Sequence, residues 1–246
     1  KQLVLEAGDV VILADPVVRG LRPWQGDAQL RMLEYTFTAR GVISKAGTGP
    51  ETKNDPYPDW MDELDDAAKA VLYKPGYRSS SPPHTLVTNG QKTDVADHRD
   101  VIHPSILKHD PDSNIDYKEF YYWDLCGHLV IRNIMTKEEL ELANEAIDKF
   151  ADQIVREKEL SRGSKSLSGT GRPLLKRLLE LPKPYCEPFR RMVAHPEIVR
   201  RLTWMGGSGF RCGQPTAFVS DKGSTGHSLH DANEPLNPSR SYVYKN

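Results

Sequence analysis

Two imidazoles and two carboxylates fall within the run Gly226-His-Ser-Leu-His-Asp-Ala-Asn-Glu234, at His227, His230, Asp231 and Glu234. Two histidines and one carboxylate on one face of a metal are the donor set of non-haem Fe(II), and they leave the other positions open for a cosubstrate and oxygen. A His beside a carboxylate at a strand end supplies half of such a set. The remaining His must arrive from a distant strand. The same composition also suits a plain surface loop. A third use is another divalent metal, held cupin-fashion by His227, His230 and Glu234.

A second run, Ala7-Gly-Asp-Val-Val-Ile-Leu-Ala-Asp-Pro-Val-Val-Arg-Gly-Leu-Arg-Pro-Trp24, is followed by Arg31. A Gly-Asp turn feeds an apolar strand, and a Gly-x-x-Pro-Trp corner follows. An arginine on the next strand could bind a carboxylate bidentately. The plainer alternative is a hairpin with a salt-bridged arginine.

These residues need elements to position them. Residues 1–40 read as strand-rich, with segments at 2–6, 10–13 and 30–37. In the last, Leu33, Tyr35 and Phe37 share one face, and Glu34 and Thr36 share the other. A loop is expected over 41–55, and a helix from Tyr57 to Val71 with Asp59 as N-cap. Residues 75–100 carry Ser79-Ser-Ser-Pro-Pro83 and Asn89-Gly90, and read as a linker. A short aromatic helix over 117–123 and a strand over 127–132 follow. Thr136-Lys-Glu-Glu139 has the spacing of a capping box. The helix it opens is expected to reach Lys158, with Leu140, Ala143, Ile147, Phe150 and Ile154 on its buried stripe. Residues 162–171 are Gly/Ser-rich, helices are expected at 188–193 and from His195, and a strand at 210–220.

Hydrophobic residues are 38% and charged residues 27%, with a formal net charge of -1. That balance suits a globular domain. It lacks the basic excess of a nucleic-acid binder, and no apolar run reaches membrane-spanning length. Cys126, Cys186 and Cys212 form no C-x-x-C pair, so buried or incidental thiols in a reducing, cytoplasmic setting are favoured. Trp60, Trp123 and Trp204 read as packing aromatics. Arg172, Arg177, Arg190, Arg191, Arg200 and Arg201 read as a solvated basic face. Lys1 leads straight into strand-like sequence and the last residues also read as strand, so the segment is expected to be a window from a longer chain.

Together the two chemistry-bearing runs resemble the phytanoyl-CoA dioxygenase-like family of Fe(II)/2-oxoglutarate oxygenases. The stretch Gly8 to Trp24 looks like the family's late barrel strands. Arg31 falls where the family places the arginine that holds the 2-oxoglutarate carboxylate. Phe120 through Met135 looks like the family's N-terminal entry, and Leu229-His-Asp-Ala-Asn-Glu-Pro235 matches the place of its first metal-binding His. The resemblance implies a mainly β fold, a double-stranded β-helix or jelly roll of cupin type, with flanking α-helices. It implies Fe(II) held by His230 and Asp231, 2-oxoglutarate as cosubstrate anchored by Arg31, and hydroxylation of a small organic or lipid-like substrate.

Three departures qualify that implication. The family's C-terminal part comes first, which requires tandem copies, the arrangement favoured here, or a circular permutation. Arg19 occupies the place of the distal metal His, and a guanidinium cannot ligate iron. The usual His-x-Asp reads His230-Asp231-Ala232, so the carboxylate is displaced by one position. Expected from these readings are a C-terminal-type oxygenase part over 1–75, a linker over 76–114 and an N-terminal-type part over 115–246. The partners expected are a small-molecule substrate and a neighbouring tandem copy or a second copy of the chain. The competing functional reading is a metal-free jelly-roll descendant serving as a binding or assembly module.

Overall fold

The computed structural model describes residues 3–15, 17–39, 58–72, 85–88, 91–94, 116–157, 164–206, 210–213 and 215–230. The elements in chain order are β1 (Val10–Leu13), β2 (Arg19–Leu21), β3 (Leu30–Glu34), β4 (Phe37–Ala39), α1 (Asp66–Leu72), β5 (Thr85–Thr88) and β6 (Gln91–Asp94). After them come α2 (Tyr117–Cys126), β7 (His128–Ile131), α3 (Lys137–Lys149), β8 (Val155–Glu157), β9 (Arg172–Leu175), α4 (Glu187–Val193), α5 (Pro196–Gly206), β10 (Phe210–Cys212), β11 (Thr216–Ser220) and β12 (His227–His230).

The strands form small antiparallel sheets flanked by helices. One sheet has four strands in the order β3-β11-β9-β8, and the rest are the two-stranded pairs β1-β7, β4-β10, β2-β12 and β5-β6. Helix and strand are mixed, and no barrel closes among the described residues. Each early strand β1 to β4 pairs with a strand from the later half: Val10 faces Ile131, Phe37 faces Cys212, Arg31 faces Val219 and Leu21 faces His227. The early and late parts of the chain therefore share sheets. The hairpin β5-β6 is the described portion of the expected linker. The expected loop at 41–55 lies outside the described residues.

Alternation sets the faces of the four-stranded sheet. Leu33, Ala217, Val219 and Leu175 turn to the helices and join a core with Ala143, Ala146 and Ile147 of α3 and Phe189 and Val193 of α4. The opposite face carries Met32 and Glu34 of β3, Thr216, Phe218 and Ser220 of β11, and Arg172 and Leu174 of β9. A second cluster joins Leu129 and Ile131 of β7 to Met192, Ile198 and Trp204, with the Phe120 ring edge-on to Trp204.

Local chemistry sets several boundaries. Helix α2 starts at Asp116, whose carboxylate accepts from Lys118 N and Glu119 N, and stops at Gly127 with φ 65°. The capping box at Thr136 and Glu139 forms as expected. Helix α3 ends at Lys149 rather than Lys158, because Val155-Arg-Glu157 is drawn into the ladder with β9. The helix expected from Tyr57 splits into a 3-10 turn, Asp59–Glu63, and α1. The capping side chain is Asp65, which accepts from Ala68 N at 2.7 Å, while Asp59 sits inside the turn. Residues 3–6 are not a strand. The expected strand at 210–220 breaks into β10 and β11 at Gly213 and Pro215, since proline donates nothing to a ladder.

Candidate functional site: the β2-β12 seam

The seam is narrow because glycines line it. A Cβ on Gly20 would sit 2.9 Å from the His227 carbonyl oxygen, and one on Gly226 would sit 2.5 Å from that of Leu21. In the register of the pair, His227 faces Leu21 and His230 faces Arg19, with an irregularity between them. The structure thus brings together the two positions that sequence reading assigned to a first metal His and to a distal His replaced by arginine.

The Nδ1 of His230 lies 2.9 Å from the Ser228 carbonyl oxygen. A carbonyl can only accept, so Nδ1 carries a proton, and a metal at this ring would have to take Nε2. The ring of His227 stacks on it, with centroids 3.8 Å apart and planes at 29°. Ring lone pairs lie in the ring plane, so two stacked imidazoles do not converge on one ion.

Arg19 is held by the residues just before its strand. Its Nη2 pairs with the Asp15 carboxylate at 3.3 Å, and Nη1 donates to the Asp15 and Val17 carbonyls at 3.1 and 3.3 Å. Among the described residues no group of three His, Cys, Asp or Glu side chains could hold a metal. Asp231, Ala232 and Glu234 lie outside the described residues. The described part of the seam therefore fits Fe(II) only at His230 and opposes it at Arg19.

Arg31 lies on the helix-facing side of β3, the side of Leu33. Its Nη2 pairs with Asp148, Nη1 donates at 3.0 Å to both the backbone and the side-chain oxygens of Asn144, and Nε donates at 2.8 Å to Gln29. These contacts tie β3 to α3. The plainer alternative, a salt-bridged arginine, describes this geometry, and no contact to a cosubstrate carboxylate is needed to satisfy the guanidinium.

Sequence reading passed over Arg172 as part of a basic face. Its side chain is 12% exposed, with the guanidinium 4.4 Å over the Phe218 ring. Burial depresses its pKa, opposed by Glu157 and Glu34. The signal available in the sequence was its place next to Gly171 at the start of an apolar strand.

No helix among the described residues is long and apolar enough to cross a membrane. No family model matches this chain, and neither a curated protein nor a solved structure matches it.

Proposed function

We propose that the chain is a phytanoyl-CoA dioxygenase-like protein, of the Fe(II)/2-oxoglutarate oxygenase type, acting on a small organic or lipid-like substrate. The observation that supports this reading is the register of the seam: His230 and Arg19, from late and early parts of the chain, are partners across β12 and β2. A two-His donor set needs a second His brought beside the first from a distant strand, and a seam of this kind would bring two such positions together. The sharing of sheets between early and late strands favours one permuted framework over two tandem fragments. Bound iron would supply the oxidising chemistry, and this chain would contribute His230 Nε2 and the Asp231 carboxylate.

A second reading is favoured by Arg19 itself. A fixed cation across from the remaining imidazole opposes a divalent ion, and a metal-free binding or assembly module has no need of one.

The two readings separate in one experiment. Mn(II), a redox-silent substitute, is titrated into the chain with and without 2-oxoglutarate, and succinate release is then followed with Fe(II). Binding lost in His230→Ala, strengthened by 2-oxoglutarate and followed by succinate release, supports the oxygenase. Absence of Mn(II) binding and of turnover removes it and leaves the metal-free module.

A further inference from the structure

Helix α2 ends at Gly127, whose φ of 65° turns the chain so that His128, the first residue of β7, meets Tyr122 of the helix. Tyr122 Oη lies 3.3 Å from His128 Nε2, and the two rings meet edge to face with centroids 5.5 Å apart. At the other ring nitrogen, Nδ1 lies 3.1 Å from the Cys126 carbonyl oxygen. A carbonyl only accepts, so Nδ1 carries a proton. In the neutral ring Nε2 is then the acceptor, and the Tyr122 hydroxyl donates to it.

A nucleophile, a base within its reach and a third group that orients the base are the parts of an activated nucleophile. Here they are Tyr122, His128 and the Cys126 carbonyl. A separation of 3.3 Å is loose, as such pairs often are before a substrate arrives. Neither residue belongs to the β2-β12 seam or to the two apolar clusters. Tyr122 is 39% exposed, so its side chain is open to reagents in solution. Apolar side chains flank the pair. Leu13 stands across from His128 in the β1-β7 ladder, Leu125 lies one helical turn from Tyr122, and both are exposed.

We propose that Tyr122 is an acceptor for group transfer, taking an apolar acyl group from an activated ester with His128 as general base. Tyr122 Oη attacks the ester carbonyl carbon, and a new C–O bond forms. The phenolic proton passes to His128 Nε2. The bond from the carbonyl carbon to the leaving oxygen breaks, and the leaving group departs with that electron pair. The imidazolium, still donating from Nδ1 to the Cys126 carbonyl, gives the extra proton to water. The product is an aryl ester of Tyr122. Leu13 and Leu125 suit the hydrocarbon part of the acyl group. The site needs no metal and does not depend on His230.

The test is acylation of the intact chain by p-nitrophenyl butyrate. Released p-nitrophenolate is followed by absorbance, and the acylated residues are located and timed by peptide mass spectrometry. Tyr121 is the internal control. It neighbours Tyr122 on α2, is 69% exposed, and has no hydrogen-bonded base among the described residues. Exposure alone favours Tyr121, whereas a general base favours Tyr122. Tyr122 is expected to react about tenfold faster than Tyr121 or more, and His128→Gln to remove that advantage. Tyr122→Phe should abolish the fast phase, and Tyr121→Phe should leave it unchanged. The same rates are taken in Cys126→Ser, which keeps the orienting carbonyl and removes the competing thiol. Circular dichroism checks that each variant folds. If His128→Gln does not fold, the parent in urea decides, because unfolding should level Tyr122 with Tyr121. The proposal is overturned if Tyr121 reacts as fast as Tyr122 in the folded chain, if folded His128→Gln reacts at Tyr122 like the parent, or if the advantage of Tyr122 survives in urea.

Discussion

Arg19 stands directly across from His230 in the antiparallel pair of β2 and β12. The opposition is chemical as well as geometric: the position across from an imidazole carries a guanidinium, which cannot ligate a metal. Replacing the cation with an imidazole should turn the seam into a better metal site. Arg19→His is expected to tighten Mn(II) binding by about tenfold or more, a change of about 1.4 kcal/mol. Addition of His230→Ala should cancel the gain. Calorimetry on the four combinations checks this, and equal affinity with and without Arg19 would refute it.

The Arg31–Asp148 pair, with the bonds to Asn144, fastens β3 to α3. Arg31→Ala should destabilise the fold by about 1–2 kcal/mol, discounted for the exposed partner. Urea unfolding measures it. An anchor for a cosubstrate would instead leave stability unchanged and remove 2-oxoglutarate binding.

Thr136 and Glu139 satisfy each other's free amides, Thr136 N donating to Glu139 at 2.8 Å and Glu139 N to Thr136 Oγ1 at 3.2 Å. Thr136→Ala should cost about 1 kcal/mol. Unfolding curves for Thr136→Ala and Thr136→Ser, the latter expected near the parent, report it.

Thiol reactivity should be uneven. Burial pushes the Cys212 thiol up to about 12 and raises that of Cys186, and both are buried, whereas Cys126 is half-buried. The thiolate is the reactive form. Brief treatment of the folded chain with iodoacetamide at neutral pH should label Cys126 first, as read by peptide mass spectrometry. Labelling of Cys212 before unfolding would contradict the packing.

Acid should act in two stages. Burial, aided by Arg191, lowers His195 below its ordinary value of 6.5. Below pH 6.5 the unfolded chain therefore binds a proton that the folded chain does not, and stability falls with falling pH. Hydrogen bonds from Arg201 and Arg200 lower Glu197, and those from Gln29 and Arg156 lower Asp221. Their contribution is present above the ordinary carboxylate range and is lost as pH falls through their depressed values. Stability measured from pH 7 to 3 should show both stages, and His195→Gln should remove the first.

Local signals were readable in the residues themselves. Thr136 and Glu139 capped a helix as their spacing demanded, and Leu33, Tyr35 and Phe37 all pack half-buried against the main core, although the strand expected over 30–37 breaks after Glu34 into β3 and β4. Such features depend on neighbours a few positions apart. The length of α3 was not readable, because the competing ladder with β9 is a non-local contact. The parity of Arg31 with Leu33 is visible in the sequence, but the identity of their face as the helix side requires α3 to be docked. The sequence by itself determined which residues carry imidazole, carboxylate and guanidinium, and how they are spaced. Tertiary structure decided that Arg19 and His230 pair across β2 and β12, that Arg31 binds α3, and that Arg172 Nε is buried without a partner among the described residues. The reason is that register and burial are properties of pairs of distant segments, and those pairs exist only once the chain has folded.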